Sequence, residues 1–482
     1  MRSNNNGGIG SLETIAVIMI SSFVLTGCEV GPKYRKPKLD LPQLPQPEKE
    51  TEKYVADKWW EVFSDGALNN LEERALKSNA DLRQAVENVE IARAIAGVAF
   101  ADLLPSVGIS GDGKESYTSK NGPMAPLMAR MSRSTPDHTL TIGAAYEIDF
   151  FGKYRRANEE ARASLLASKA AKESVRLSVT ADVAKAYFQL RALDAKLAIA
   201  RRTLATRQKT CAVYSSRVEN GYCTELDYLR VQAEMSSVKT VVLDLEASLA
   251  KIENSLSVLI GTSPREMMIR RTAKDQAIEK LRVPTEIPNG IPSDILSRRP
   301  DILQAEGLLI AANAKIGEAR AAHFPSISLT GVFGFESTSL ARLFNSGSDT
   351  WNWGGGVFLP IFNGGKITAL NKSAEANYRK MLAAYEKTVQ GAFREALDAL
   401  ITNRNSREVV ISRTKQVNSL KKSYEIAAKQ QDSGLIGLLD LLDVERGLLA
   451  AEMDMVSALQ NRLNAVVDLC KALGGGWKAQ RL

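Results

Sequence analysis

Histidine is nearly missing from this chain of 482 residues: His138 and His323 are the only two. A metal site built on imidazoles, or a catalytic centre that depends on one, has little to draw on. Cysteine is also sparse, four in all, which excludes a disulfide-stapled scaffold. Aromatic residues are 6% of the chain. With 44% hydrophobic and 24% charged residues, neither a mostly disordered chain nor a polytopic helical membrane protein fits. The apolar run Thr14 to Val24 holds 11 residues, too short for a hydrocarbon layer of about 30 Å. The net charge of +8 is modest for this length, so no nucleic-acid partner is implied. The length suits two or three ordinary domains or one elongated architecture.

The N-terminus reads as an export signal over residues 1–27. Arg2 gives a thin positive region, the apolar run follows, and Leu25-Thr26-Gly27-Cys28 closes it. Small residues immediately before a cysteine resemble a bacterial lipobox. That resemblance implies cleavage before Cys28, N-acyl and diacylglycerol lipid on Cys28, and, with Glu29 rather than Asp next, export to the outer membrane. Five prolines between Pro32 and Pro47 forbid a helix there and favour an extended tether, about 3.1 Å per residue. Cys211, Cys223 and Cys470 show no metal-ligand spacing and read as packing residues.

What the chain has in abundance is internal repetition. Asp81-Leu82-Arg83-Gln84-Ala85 matches Asp301-Ile302-Leu303-Gln304-Ala305 at an offset of 220, as Gly97 matches Gly317 and Pro105 matches Pro325. Further on, Gly152-Lys153 matches Gly365-Lys366, Gly221 matches Gly434 and Leu226-Asp227 matches Leu439-Asp440, now at 213. Each copy therefore orders a helix, two strands, a very long helix, a turn and a long returning helix. Lys153 to Val218 contains no Gly or Pro, and as a helix would reach about 95 Å. Such a helix needs partners for its apolar stripe, so antiparallel helical hairpins are expected. The expected divisions are a signal 1–27, a lipidated Pro-rich tether 28–60, a first repeat 61–263, a connector 264–295, a second repeat 296–477 and a tail 478–482.

Four strands are expected at about 105–118, 138–150, 325–336 and 350–362. Leu140, Ile142, Ala144, Tyr146, Ile148 and Phe150 alternate with Thr139, Thr141, Gly143, Ala145, Glu147 and Asp149. Ile327, Leu329, Phe333 and Phe335 oppose Ser326, Ser328 and Thr330, and Trp351, Trp353 and Val357 oppose Asn352, Gly354 and Gly356. Alternation over about ten residues fits either a transmembrane β-strand or a soluble sheet with one wet face. The export signal and the Trp351/Trp353 pair, suited to an interfacial girdle, favour the membrane. Membrane strands must close into a barrel. The smallest such barrels have about eight strands, so four per chain require at least a dimer, and a trimer would give twelve.

Several long motifs carry a resemblance. Ile291-Pro292-Ser293-Asp294-Ile295-Leu296-Ser297-Arg298-Arg299-Pro300-Asp301-Ile302 with Ala305-Glu306 is similar to the signature of outer-membrane efflux lipoproteins of the TolC/OprM type. His323 to Leu329, Leu359 to Gly365, Ala472-Leu473-Gly474-Gly475-Gly476-Trp477 and the opening Cys28 to Pro37 match the same family, in order. The resemblance implies an α+β membrane protein: a homotrimer with a twelve-stranded outer-membrane barrel on a long periplasmic α-helical barrel. It implies a passive exit duct of a tripartite pump, with a periplasmic membrane-fusion adaptor and an inner-membrane pump, commonly of the resistance-nodulation-division class, as partners. It implies no cofactor beyond the lipid on Cys28 and no enzymatic chemistry. Drugs or other small toxic compounds are the expected cargo; metal-ion efflux and type I protein secretion are alternatives. A lipid-anchored coiled-coil scaffold without a channel is the rival of another class, and a lipid-anchored hydrolase lacks a convergent nucleophile and base.

The family resemblance places the periplasmic entrance at the hairpin turns. Gly221 and Gly434 suit reversals that need positive φ. Asp227, Asp440 and Asp443 correspond to acidic positions that line the entrance in related channels, where three-fold symmetry makes rings of like charge, and Arg217 or Arg230 could neutralise them. Asp227 and Asp440 fit equally well as residues that start the returning helices, since Thr224-Glu225-Leu226-Asp227 reads as a cap with an acidic third position. Ile436 and Gln431 stand where some members carry Arg and Tyr. Gly108 to Glu115 nearly spells a phosphate loop, but Glu115 replaces the required Ser or Thr and no helix follows.

Overall fold

The computed structural model describes residues 29–38, 57–119, 121–123, 133–263, 278, 281 and 298–475. Cys28, the signal, much of the tether and connector, and Trp477 lie outside them. A 3-10 turn, Trp59–Phe63, precedes α1 (Gly66–Ser78) and α2 (Ala80–Ala101). Then come β1 (Ser106–Tyr117), β2 (Ser134–Ile148), α3 (Lys153–Glu219) and α4 (Glu225–Leu259). The second copy supplies α5 (Pro300–Ala321), β3 (Ser326–Ser337), β4 (Asp349–Phe358), α6 (Lys366–Asp432) and α7 (Leu438–Ala472).

Four pairs of elements repeat with equal length. α2 and α5 have 22 residues each, β1 and β3 12, α3 and α6 67, α4 and α7 35. The copies differ in the second strand, 15 residues in β2 against 10 in β4. The contacts gather these elements into two units, and each unit draws on both copies. One holds the N-terminal segment to Lys38 with Glu90–Leu166 and Glu306–Ala384; the other holds Leu39–Val89, Ala167–Ala305 and Tyr385–Leu482.

The first unit contains one antiparallel sheet, β1-β2-β3-β4. Its register lines up the faces foreseen from alternation. Ile109, Ile142, Phe333 and Trp351 form one transverse row, and Val107, Ala144, Gly331 and Trp353 the next. These two rows are apolar from edge to edge, and Trp353 is 78% exposed. The opposite face carries Ser110, Thr141, Gly334 and Thr350 in one row, with the Ser110 and Thr141 hydroxyls 2.9 Å apart. A Cβ on Gly334 would sit 2.2 Å from the Leu140 carbonyl oxygen, so only glycine fits there. β2 begins at Ser134, before the expected 138, because Ser134 to Asp137 continue the ladder against Tyr117 to Lys114. β4 ends at Phe358, before the expected 362: Pro360 has no N–H to donate. Gly108 to Glu115, the phosphate-loop look-alike, lies inside β1.

The second unit is built on the part of α3 from Ala167 onward. Trp59 Nε1 donates to Thr180 Oγ1 at 3.3 Å, and the Phe63 and Phe188 rings meet at 4.8 Å. Asp65 caps α1 by accepting from the Ala67 and Leu68 amides, and its other oxygen accepts from Tyr187 Oη at 2.7 Å. Val179, Val183 and Leu190 of α3 pack with Val242, Leu249 and Leu256 of α4. The two copies close the same joint with different chemistry. Asn79 Nδ2 donates to the Leu259 carbonyl at 2.8 Å, and Arg299 Nη1 donates to the equivalent Ala472 carbonyl at 3.2 Å. Asn79 also caps α2 through Leu82 N, whereas in the second copy Asp301 serves Ile302 N and Arg299 pairs with Asp301 and Glu395.

Glu72 of α1 is fully buried, and its carboxyl oxygens have no hydrogen-bond partner among the described residues. Burial pushes this carboxyl up to about 9. The folded protein therefore holds a proton that the unfolded chain has released above about 4.5. Stability conferred by this group is full below that value and is lost as pH rises toward 9. Glu72→Gln is expected to stabilise by about 1–3 kcal/mol at pH 7 and by little at pH 4.5, read from thermal melts at the two pH values.

Candidate functional site

Both hairpin turns form by the same backbone device. After α3, Gly221 sits at φ 73° while Tyr222 N bonds Arg217 O at 2.7 Å and Gly221 N bonds Val218 O at 3.0 Å. After α6, Gly434 sits at φ 72° while Leu435 N bonds Gln430 O at 2.8 Å and Gly434 N bonds Gln431 O at 3.0 Å. These are Schellman closures, which satisfy helix-end carbonyls and place a left-handed residue where glycine costs least.

The returning helices begin with acidic residues at their third positions. The Thr224 hydroxyl accepts from Asp227 N at 3.2 Å and donates to Asp227 Oδ2 at 2.7 Å. Gly437 has no side chain to play either part; instead, Gly437 N donates to Asp440 Oδ2 at 3.1 Å. Asp227 also has Arg230 Nη1 at 3.8 Å. Asp443 takes no part in capping. Its side chain is 79% exposed, with Arg446 Nη1 at 3.4 Å, and Arg446 Nε lies 3.0 Å from Glu234.

The hairpins are tied to one another near these turns by residues that the sequence did not single out for that role. Gln431 Nε2 donates to Tyr214 Oη at 3.2 Å. The Tyr214 ring lies 5.4 Å from the Arg217 guanidinium, and its carbonyl receives Cys223 Sγ at 3.6 Å. Further along, the buried Arg207 guanidinium lies 2.7 Å from Glu445 Oε2, in a 260 Å³ cleft shared with Tyr424. Burial pushes the Glu445 carboxyl up, against the pull of Arg207. A charge so far from its partner in sequence announces itself by no motif; the one available signal was an arginine within a long alanine-rich stretch.

The remaining cysteines are free: Cys470 is buried, and burial pushes its thiol up to about 12, while Cys211 and Cys223 are half-buried. Trp351 and Trp353 share the apolar face of β4. Tyr222, Leu226, Leu435 and Leu439 leave apolar surface exposed at and just beyond the turns. Among the described residues no cluster of His, Cys, Asp or Glu could hold a metal ion, and no described helix is long and apolar enough to cross a membrane.

A family model described as outer membrane efflux protein matches residues 71–262 and 291–475. The antibiotic efflux pump outer membrane protein ArpC of Pseudomonas putida is 33% identical over 97% of this chain and 96% of its own length. The cation efflux system protein CusC of Escherichia coli O157:H7 is 31% identical over 95% and 97%. Among solved structures, the CmeC outer membrane channel of Campylobacter jejuni superposes with a TM-score of 0.87 at 29% identity, covering 94% of this chain and 96% of that one.

The caps separate the two aspartates of α7. Asp440→Ala is expected to lower the melting transition by an amount corresponding to about 1 kcal/mol, and Asp443→Ala by less than half of that. Thermal unfolding of the two variants side by side reads the difference.

Proposed function

This chain belongs to the outer membrane efflux protein family, and from that premise we propose that it is the exit duct of a tripartite efflux pump. The duct passes small toxic compounds outward without chemistry of its own. The observation that carries this reading is the sheet: apolar rows cross all four strands on one face, polar and small residues prevail on the other, and an edge lies at each end. An edge facing hydrocarbon would leave N–H and C=O groups without partners, so the sheet must close by joining copies. A homotrimer closes it with twelve strands, within the range of outer-membrane barrels. The expected lipid on Cys28 would add a second anchor to the same membrane.

The helical hairpins then extend into the periplasm, and their turns form the entrance. Three copies of Asp443, exposed and free of capping duty, would make an acidic ring that favours cations. Asp227 and Asp440 contribute charge while their main task is to start α4 and α7. The exposed Tyr222, Leu226, Leu435 and Leu439 offer the apolar surface on which a membrane-fusion adaptor would seat, linking the duct to an inner-membrane pump of the resistance-nodulation-division class. Relatives of similar likeness carry antibiotic, toluene and cation names, which supports selection of cargo upstream of the duct.

The test is single-channel conductance of the purified protein in planar bilayers. Wild type should give a small, cation-selective conductance. Asp443→Ala should reduce that selectivity, and Asp440→Ala should change it less. No conductance from well-folded protein would overturn the duct reading; selectivity untouched by Asp443→Ala would remove the acidic ring from it.

A further inference from the structure

The segment from Glu29 to Lys36 does not hang free. It is fastened along α5 at successive points that climb toward the sheet. Lys36 Nζ and Tyr34 Oη bond Glu306 at 2.7 and 3.3 Å. Asn313 Nδ2 donates to the Pro32 carbonyl at 2.9 Å. Gly31, at φ 111°, passes so close to Gly317 that a Cβ on it would lie 2.5 Å from the Gly317 Cα. Val30 N then bonds Phe151 O at 3.3 Å, and Glu29 pairs with the buried Arg156 at 3.3 Å. As residue numbers fall from Lys36 to Gly31, their partners on α5 advance from Glu306 to Gly317, toward the end that leads into β3.

An apolar cavity of about 710 Å³ lies where this segment arrives, lined by Phe150, Phe151, Phe324, Leu359, Ile361 and Phe362 among others. Its volume is within the roughly 300–1,000 Å³ typical of sites for small organic ligands. Phe151, whose carbonyl holds Val30, stacks on Phe324 at 4.7 Å. Ile361 and Phe362 are 92% and 90% exposed in the single chain. One peptide link, about 3.8 Å between Cα atoms, separates Glu29 from Cys28.

We infer that this cavity receives an acyl chain of the lipid carried by Cys28, so that the anchor is seated on the protein at the base of the sheet. The inference rests on the lipoprotein reading above. The tether is fixed at one end by the ion pairs and hydrogen bonds along α5, and it would deliver the lipid to the apolar cavity beside its path. The polar groups of Lys153, Asn363 and Lys366 at the cavity suit the carbonyl and glycerol oxygens at the head of the chain. The lipid would thus brace β2 against β3 and β4 in addition to holding the chain in the membrane.

The test uses the full chain, produced in a bacterial host fed a palmitate analogue bearing a diazirine and an alkyne. Mass spectrometry of the N-terminal peptide establishes acylation of Cys28. Irradiation of purified membranes should then cross-link the acyl chain to peptides containing Phe324 or Ile361-Phe362. In Ile361→Ser/Phe362→Ser, whose positions lie outside the buried core, the yield should fall at least fivefold with acylation unchanged. An acylated Cys28 whose cross-links fall on bilayer phospholipid, or on protein segments away from the cavity, would overturn the inference alone. An unacylated Cys28 would overturn the lipoprotein reading and the inference with it.

Discussion

β1 and β4 bound the described sheet, and each has a single hydrogen-bonded neighbour in its own chain. In water, such an edge is a liability managed with charge, bulges or a covering loop. In hydrocarbon it is untenable, because a bare peptide group costs several kcal/mol. The apolar face running from Val107 and Ile109 to Trp351 and Trp353 puts this sheet in hydrocarbon in our account. Everything else then follows from how the edges are satisfied. Copies must join, their number must bring the strand count to that of a closed barrel, and a passage must run along the inner face. Gly108, Gly143, Gly334, Gly354 and Gly356 all fall on that inner face, where in this account they would leave room for the passage.

The sequence made the architecture legible to an unusual degree because it states it twice. Two offsets, 220 and 213, aligned the copies before any element was assigned, and the paired helices have equal lengths. Alternation identified the faces of β2, β3 and β4. It missed the first residues of β2, because Ser134 to Asp137 are all polar or Pro and alternate with nothing. It overran β4, because Leu359 to Phe362 continue the apolar pattern past a proline that cannot join the ladder. The division into two units, each drawing on both copies, was not visible at all; repeat boundaries and contact boundaries are different properties.

The turns show where sequence reasoning stops. Gly221 and Gly434 announced the reversals, and Thr224 announced a cap. Sequence position alone sets Asp440, at the start of its helix, apart from Asp443; the structure adds the bond that does it, from the Gly437 amide to Asp440. Contacts between distant helices were invisible. Arg207 with Glu445, Arg299 with Ala472 and Glu395, and Gln431 with Tyr214 follow no spacing rule. The pairing of Asn79 and Arg299 at one repeated joint is instructive: the copies kept the carbonyl to be satisfied and changed the donor.

The central claim is that copies of this chain close one another's sheets. Native mass spectrometry of the membrane-extracted, full-length protein in a mild detergent tests it most directly. The account expects one dominant species with the mass of three chains, stable to dilution. A species of one chain, or of two, would contradict it.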